Sequence, residues 1–323
     1  MRFRELPGTD LESAVIGLGT VGFGSKQDEE SSFALLDRYV ELGGNFIDTA
    51  NIYADFLGGE KGLSEKTIGR WLSSRGSRSD VILSTKGAHP PFDGSSRKRL
   101  DAASIASDLH ESLERLQTDR IDLYFLHRDD PDMEVRNIMD ALHEHVAAGE
   151  IRYIGASNWK PARIEEANRY AREIGKTPFV ASQPHWNLAS LNPGAMAEDM
   201  TAVDDEAYAY YVGAGLAVFA YSSQAGGFFS GRYGRGTRPD SGSAGHVEKM
   251  YANEESYRRL ERVQELAAEL GVSPSQVTLA YLTSQPFPVI ALAGVTKLAY
   301  LEDSCKAGDL KLTDEQLSYL VNG

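Results

Sequence analysis

The chain has 323 residues, 47 of them acidic and 33 basic, with 41% apolar residues, one cysteine, a formal net charge of −14 and a pI near 5.0. At roughly 100–200 residues per domain that is enough apolar material for one large α/β domain or two ordinary ones, and it excludes bulk disorder. The charge disfavours nucleic acid and anionic lipid as partners, the lone Cys305 has no internal disulfide partner, and neither a secretory signal nor an apolar run of membrane-spanning length is present, so a cytoplasmic protein is expected.

Residues 2–6, the turn Pro7-Gly8-Thr9 and the residues after it read as a β-hairpin laid before the main fold. Short β-type runs then follow at residues 14–18, 45–48, 81–86, 121–127, 151–157, 179–183, 216–220 and 289–292. Between them lie stretches of helical period at residues 33–42, 64–73, 103–116, 135–148, 161–174 and 204–214, and a long one at 257–284 interrupted at Gly271 and Pro274. A further helix is expected from Thr313 onward. Alternation of this kind implies a parallel sheet, and eight units without a linker predict a (β/α)8 TIM barrel filling one domain over residues 1–323. The aperiodic stretches 184–203 and 221–253 each lie between a strand and a helix, where barrels build their active sites; the second, rich in Gly, Ser and Arg, is expected to be a mobile lid.

The residues at successive strand ends are Asp48, Lys86, His127, Ser157-Asn158, Gln183, Tyr221 and, after the last strand, residues 294–297. Any one of them has an ordinary explanation, as a helix cap, a solvated strand end or a satisfied core histidine. Seven in succession point to one pocket.

The runs Asp48-Thr49-Ala50-Asn51-Ile52-Tyr53, Ser84-Thr85-Lys86, Leu126-His127-Arg128, Ile154-Gly155-Ala156-Ser157-Asn158, Gln183 and Tyr221-Ser222 together resemble the aldo-keto reductases, over nearly the whole chain. The resemblance implies metal-free, reversible reduction of an aldehyde, ketone or sugar-like carbonyl by a nicotinamide cofactor. It casts Tyr53 as the acid, Lys86 as the cation that stabilises its phenolate, Asp48 as the counterion of Lys86, and His127 as the group orienting the carbonyl. It gives Ser157, Asn158 and Gln183 to the carboxamide and Tyr221 to the nicotinamide ring, with Gly19 and Thr20 in a floor loop beneath it. Ser222, Gln224, Gly226, Ser230 and Arg232 fall to the pyrophosphate lid. Gly294, Thr296 and Lys297 fall to a 2′-phosphate, with Tyr300 and Ser304 near the adenine, so NADP(H) is expected ahead of NAD(H). Phe56, His89, Trp159 and Trp186, just past strand ends, are read as substrate contacts, with loop packing as the alternative.

Three other readings compete. Gly17-Leu18-Gly19-Thr20-Val21-Gly22 spells a dinucleotide fingerprint, but Phe23-Gly24-Ser25-Lys26-Gln27 delays the helix that a Rossmann fold opens directly on the glycines. His143 and His145 point about 200° apart on a helix and do not converge on an ion, so no metal is expected. A regulatory subunit resembling the potassium-channel β subunits shares the fold and retains cofactor; with no long inactivating segment ahead of the barrel, the enzyme is the favoured reading.

Overall fold

The computed structural model describes residues 1–55, 60–93, 95, 97–240 and 242–323. Strands β1 (Phe3–Glu5) and β2 (Glu12–Ala14) pair antiparallel, with Phe3 opposite Ala14. Next come β3 (Ile16–Gly19), α1 (Glu29–Glu41), β4 (Phe46–Asp48), α2 (Leu63–Arg75), β5 (Ile82–Gly87), α3 (Ala102–Leu116), β6 (Ile121–Leu126) and α4 (Val135–Ala147). The chain continues through β7 (Ile151–Ser157), α5 (Pro161–Glu173), β8 (Phe179–Gln183), α6 (Asp205–Ala214), β9 (Ala217–Ala220), α7 (Ala244–Tyr251), α8 (Glu254–Leu270), α9 (Pro274–Thr283), β10 (Val289–Gly294), α10 (Leu298–Lys306) and α11 (Asp314–Asn322). Strands β3 to β10 close into an eight-stranded parallel barrel in chain order, β10 pairing back onto β3 with Ala291 opposite Ile16.

Many helix ends carry the signals that fix them. Asp28, Asp101, Asp204, Asn253, Ser273 and Thr313 each accept a first-turn amide, and Gly76, Gly215 and Gly271 end their helices in the left-handed region. Gly271 and Pro274 do split the long helical stretch, into α8 and α9. The expectation for residues 221–253 needs correction, because α7 lies within them. Its buried Ala244, Val247, Met250 and Tyr251 show helical spacing, but over only eight residues, with a glycine in the first turn and no side-chain cap. The signal is too short to rise above the Gly/Ser-rich sequence before it. Nor is this stretch a loose lid throughout, since Phe228, Phe229 and Tyr233 are buried, Phe228 packing on Tyr251 and Tyr257 with Phe229 and Tyr233 against it.

Inside the barrel Phe46, Ile82, Leu123, Phe125, Ala181, Ala217, Phe219, Ile290 and Leu292 pack together, and the hairpin adds Leu6 and Leu11 as a plug. Phe46 stacks on Phe219 at 4.6 Å between centroids. Crowding explains Gly17, where a Cβ would lie 2.8 Å from Leu292 Cδ2. The N-terminal segment also reaches the far end of the chain: the Arg2 guanidinium donates to Gly308 O at 2.9 Å, Thr283 Oγ1 at 3.0 Å and Leu310 O at 2.8 Å.

Helices α2 and α3 cross at Gly69, where a Cβ would sit 2.2 Å from the Arg115 carbonyl oxygen. Because backbone cannot give way as a side chain can, Gly69→Ala is expected to cost about 1–3 kcal/mol in urea unfolding, despite alanine's better helix propensity. Gly213→Ala on α6, with nothing within 4 Å of its Cβ position, should be neutral or stabilising in the same assay.

Candidate functional site

Side chains on a strand alternate between faces, so the parity of the packed interior decides what stands above it. Counting two residues at a time from the interior Phe46, Ile82, Phe125, Ala181 and Phe219 leads to Asp48, Ser84 and Lys86, His127, Gln183 and Tyr221. All six are on inward positions, five of them at or just past the C-terminal ends of their strands and Ser84 one layer below Lys86.

Lys86 is 1% and Asp48 2% exposed. The Lys86 ammonium donates to Asp48 Oδ2 at 2.7 Å, to Thr49 O at 2.7 Å and to the Tyr53 hydroxyl at 3.0 Å. Asp48 Oδ1 accepts from Ser84 Oγ at 2.9 Å and Gln183 Nε2 at 3.0 Å. Burial opposes the charge on Lys86, but Asp48 and Tyr53 outweigh it and hold the ammonium above its ordinary pKa. Burial raises the Tyr53 phenol, with Lys86 the largest opposing influence. The lysine thus pulls in the direction expected from sequence, yet desolvation wins and Tyr53 holds its proton through the neutral range.

Beside this trio, the rings of His127 and Tyr53 meet edge to face at 6.0 Å and those of His127 and His89 at 4.8 Å. Burial pushes His127 well below the ordinary imidazole range, so the ring is neutral, and its buried Nδ1 has no partner among the described residues. Burial, reinforced by Arg128, brings His89 down to about 4. Its Nδ1 lies 2.6 Å from Pro90 O, which a neutral ring satisfies by donating, and Nε2 is left as an acceptor.

Ser157 Oγ donates to Gln183 O at 2.9 Å; the Asn158 amide donates to His127 O and Ser157 Oγ, both at 3.2 Å, and its Oδ1 accepts from the Tyr221 hydroxyl at 2.7 Å. A continuous hydrogen-bonded path therefore runs from Lys86 through Asp48, Gln183, Ser157 and Asn158 to Tyr221. Thr20 is fully buried and bonded to Asp48 O and Ser64 Oγ, tying β3 to β4, while neighbouring Gly19 is half-buried. Gln224 donates to the buried Ser304 at 3.2 Å, joining the 221–253 stretch to α10. Ser222, Gly226, Ser230, Arg232, Gly294, Thr296, Lys297 and Tyr300 are exposed. Ser222, Gly226, Gly227 and Gly231 have left-handed backbone. The Lys297 ammonium sits 5.7 Å from the Tyr300 ring centroid, and Lys297, not Thr296, occupies the N-cap of α10.

Two expected substrate contacts are packed into the core instead. Trp159 lies against Phe179 and donates to Arg128 O, and Trp186 stacks on Phe287 beside Tyr208 and Tyr281. These are loop-packing roles, the alternative for residues just past strand ends. Phe56 lies outside the described residues. The sequence reading missed Asp108 of α3, which accepts the Ala88 amide at 2.8 Å and pairs with Arg99, so holding the left-handed residue (φ 61°) that turns the chain from Lys86 to His89. It also missed the Arg128–Asp199 pair at 3.1 Å, which ties the end of β6 to the loop before α6. The cleft of about 560 Å³ lined by Asp10, Arg78, Asp122 and Arg152 does not compete as a site, because Arg78 and Arg152 pair with Asp122 and Arg152 also with Asp10.

Lys86→Met leaves Asp48 buried without its counterion, so a loss of about 3–5 kcal/mol is expected in urea unfolding at neutral pH. Adding Asp48→Leu should recover stability while leaving the double variant inactive.

Residues 15–322 match the model of the aldo/keto reductase family. Similar proteins include an aryl-alcohol dehydrogenase [NADP(+)] of Phanerodontia chrysosporium, 30% identical over 99% of this chain and 85% of its own length. Norsolorinic acid reductase B of Aspergillus parasiticus is 32% identical over 99% and 84%, and the uncharacterized oxidoreductase YrpG of Bacillus subtilis 32% identical over 99% and 95%.

Proposed function

Because the chain belongs to the aldo/keto reductase family, we propose that this oxidoreductase uses NADP(H) to interconvert an aldehyde, ketone or sugar-like carbonyl and its alcohol, with Tyr53 as the proton donor. The observation that carries the reading is the Tyr53 hydroxyl 3.0 Å from a buried ammonium that is itself anchored on Asp48. The bound cofactor supplies the hydride that goes to the carbonyl carbon. Tyr53 gives its proton to the carbonyl oxygen, and Lys86 stabilises the phenolate left behind. Neutral His127 orients the oxygen as a hydrogen-bond donor, so its protonation does not gate reduction near neutral pH. Since Tyr53 is raised, the acid form persists into alkaline solution.

The residues fit the cofactor. Arg232 and Lys297 have no carboxylate partner among the described residues, an arrangement suited to phosphate in a chain so rich in acids. Lys297 and Thr296, at the start of α10, would hold a 2′-phosphate; Arg232, Ser230 and Gly226 the pyrophosphate; Asn158, Ser157 and Gln183 the carboxamide; and Tyr221 the ring. The bracketed cofactor in the name of the Phanerodontia relative supports this preference. On the substrate side, the His89 acceptor and the Arg128–Asp199 pair suit a carbonyl that carries hydroxyl groups.

Tyr53→Phe should lower the rate of carbonyl reduction by about 10²–10⁴-fold and leave the dissociation constant of NADPH, followed by fluorescence, near wild type. Full turnover by this variant would overturn the assignment. Lys297→Ala should weaken NADP(H) about tenfold or more while barely changing NAD(H). Equal weakening of both would show that Lys297 does not read the 2′-phosphate.

A further inference from the structure

Histidines 143 and 145 do not converge, but a third histidine, from the neighbouring helix, comes to meet one of them. Nε2 of His110 on α3 lies 3.2 Å from Glu150 Oε1, and Nδ1 of His145 in the last turn of α4 lies 2.7 Å from Glu150 Oε2. The three ligand atoms lie within 4.8 Å of one another. The two imidazoles stand nearly perpendicular, 85° between planes with centroids 5.7 Å apart, so they approach the carboxylate from different directions.

The backbone holds this arrangement in advance. Left-handed Gly149 (φ 78°) turns the chain at the end of α4; the Glu150 amide donates to His145 O at 3.1 Å, and the Glu150 carbonyl accepts from the Ile121 amide at 2.9 Å. His145 and Glu150 are thereby fixed to each other and to the first residue of β6. His110 has its side chain 58% exposed and retains the freedom to adjust.

We propose that His110, His145 and Glu150 form a binding site for one divalent transition-metal ion of the zinc class. Two imidazoles and one carboxylate are a borderline ligand set that favours zinc, cobalt, nickel or copper over the harder magnesium and calcium. Ligand atoms about 2.0–2.2 Å from a tetrahedral ion stand about 3.3–3.5 Å apart, so the contacts at 2.7 and 3.2 Å open by less than 1 Å while the widest separation, up to 4.8 Å, closes by up to about 1.5 Å, a movement the exposed His110 ring can supply. The ion replaces the hydrogens now shared with Glu150; each neutral ring carries its proton on the far nitrogen, and water fills the fourth, solvent-facing position. Glu150 precedes the N-terminal end of β7, whereas Ser157 and Asn158 stand at the other end, so the ion clips α3, α4 and the start of β7 together without touching Tyr53.

Tag-free protein freed of metal by chelator and titrated with Co²⁺ should develop visible d–d absorption that saturates at one equivalent and is displaced by Zn²⁺. Zn²⁺ in excess should raise Tm by several degrees, because it binds the folded chain, and Mg²⁺ should not. His110→Ala removes an exposed ring and so leaves the fold intact; it and His145→Gln should each weaken Co²⁺ binding about tenfold or more. The proposal is overturned if no saturable binding appears up to about 100 µM metal, an affinity of about 5.5 kcal/mol. It is equally overturned if both variants bind like the wild type, which would place the ion elsewhere.

Discussion

A lysine ammonium with 1% exposure is a demanding thing to put inside a protein, and most of the site follows from how that demand is met. Lys86 has three hydrogens and three acceptors: Asp48 Oδ2, Thr49 O and the Tyr53 hydroxyl. Two of them come from the end of β4 and the residue after it, so the charge pins one strand end to the next. The third is the phenol, whose position the same ammonium therefore sets. Asp48 faces the same requirement and meets it with Ser84 and Gln183, which carries the constraint across the mouth of the barrel toward β7 and β8. Electrostatic satisfaction and catalytic geometry are here one problem with one solution.

The backbone around this pair bears the local cost. Of the six described residues other than glycine with positive φ, Gln117 (53°) caps a helix and Ala225 (49°) lies in the stretch after β9, while the other four are Ala54 (77°), Ala88 (61°), Asn158 (60°) and Ser222 (53°). Each of these four lies within two residues of Tyr53, Lys86, Ser157 or Tyr221. Left-handed conformations disfavoured for these side chains recur where strands hand over to loops, and the hydrogen bond from Ala88 to Asp108 shows how one of them is held.

The eight barrel strands were legible because short apolar β-type runs, buried on both faces, end on chemically distinctive residues, and the same parity that buries Phe125 turns His127 inward. Their bounds shift by one or two residues in several cases, most tellingly in the first, where Ala14 belongs to the hairpin and the barrel strand starts at Ile16. What could not be read depends on partners remote in sequence. Trp159 and Trp186 sit just past strand ends, as substrate contacts do, but Phe179 and Phe287 decide their orientation. Asp108 looks like any acid on an amphipathic helix until Ala88 folds onto it. Helical spacing rightly separates His143 from His145, yet it says nothing of His110 on the next helix.

The three bonds from Arg2 to Thr283, Gly308 and Leu310, together with the pairing of β3 with β10, have a consequence for biosynthesis. Ribosomes deliver β3 early and β10 about 270 residues later, so the first strand waits with one edge open for most of translation. Ring closure belongs to the moment when the last strand and the segment after it clear the exit tunnel. The hairpin, which pairs within itself and places Leu6 and Leu11 against the barrel interior, shields part of that nascent sheet in the interval.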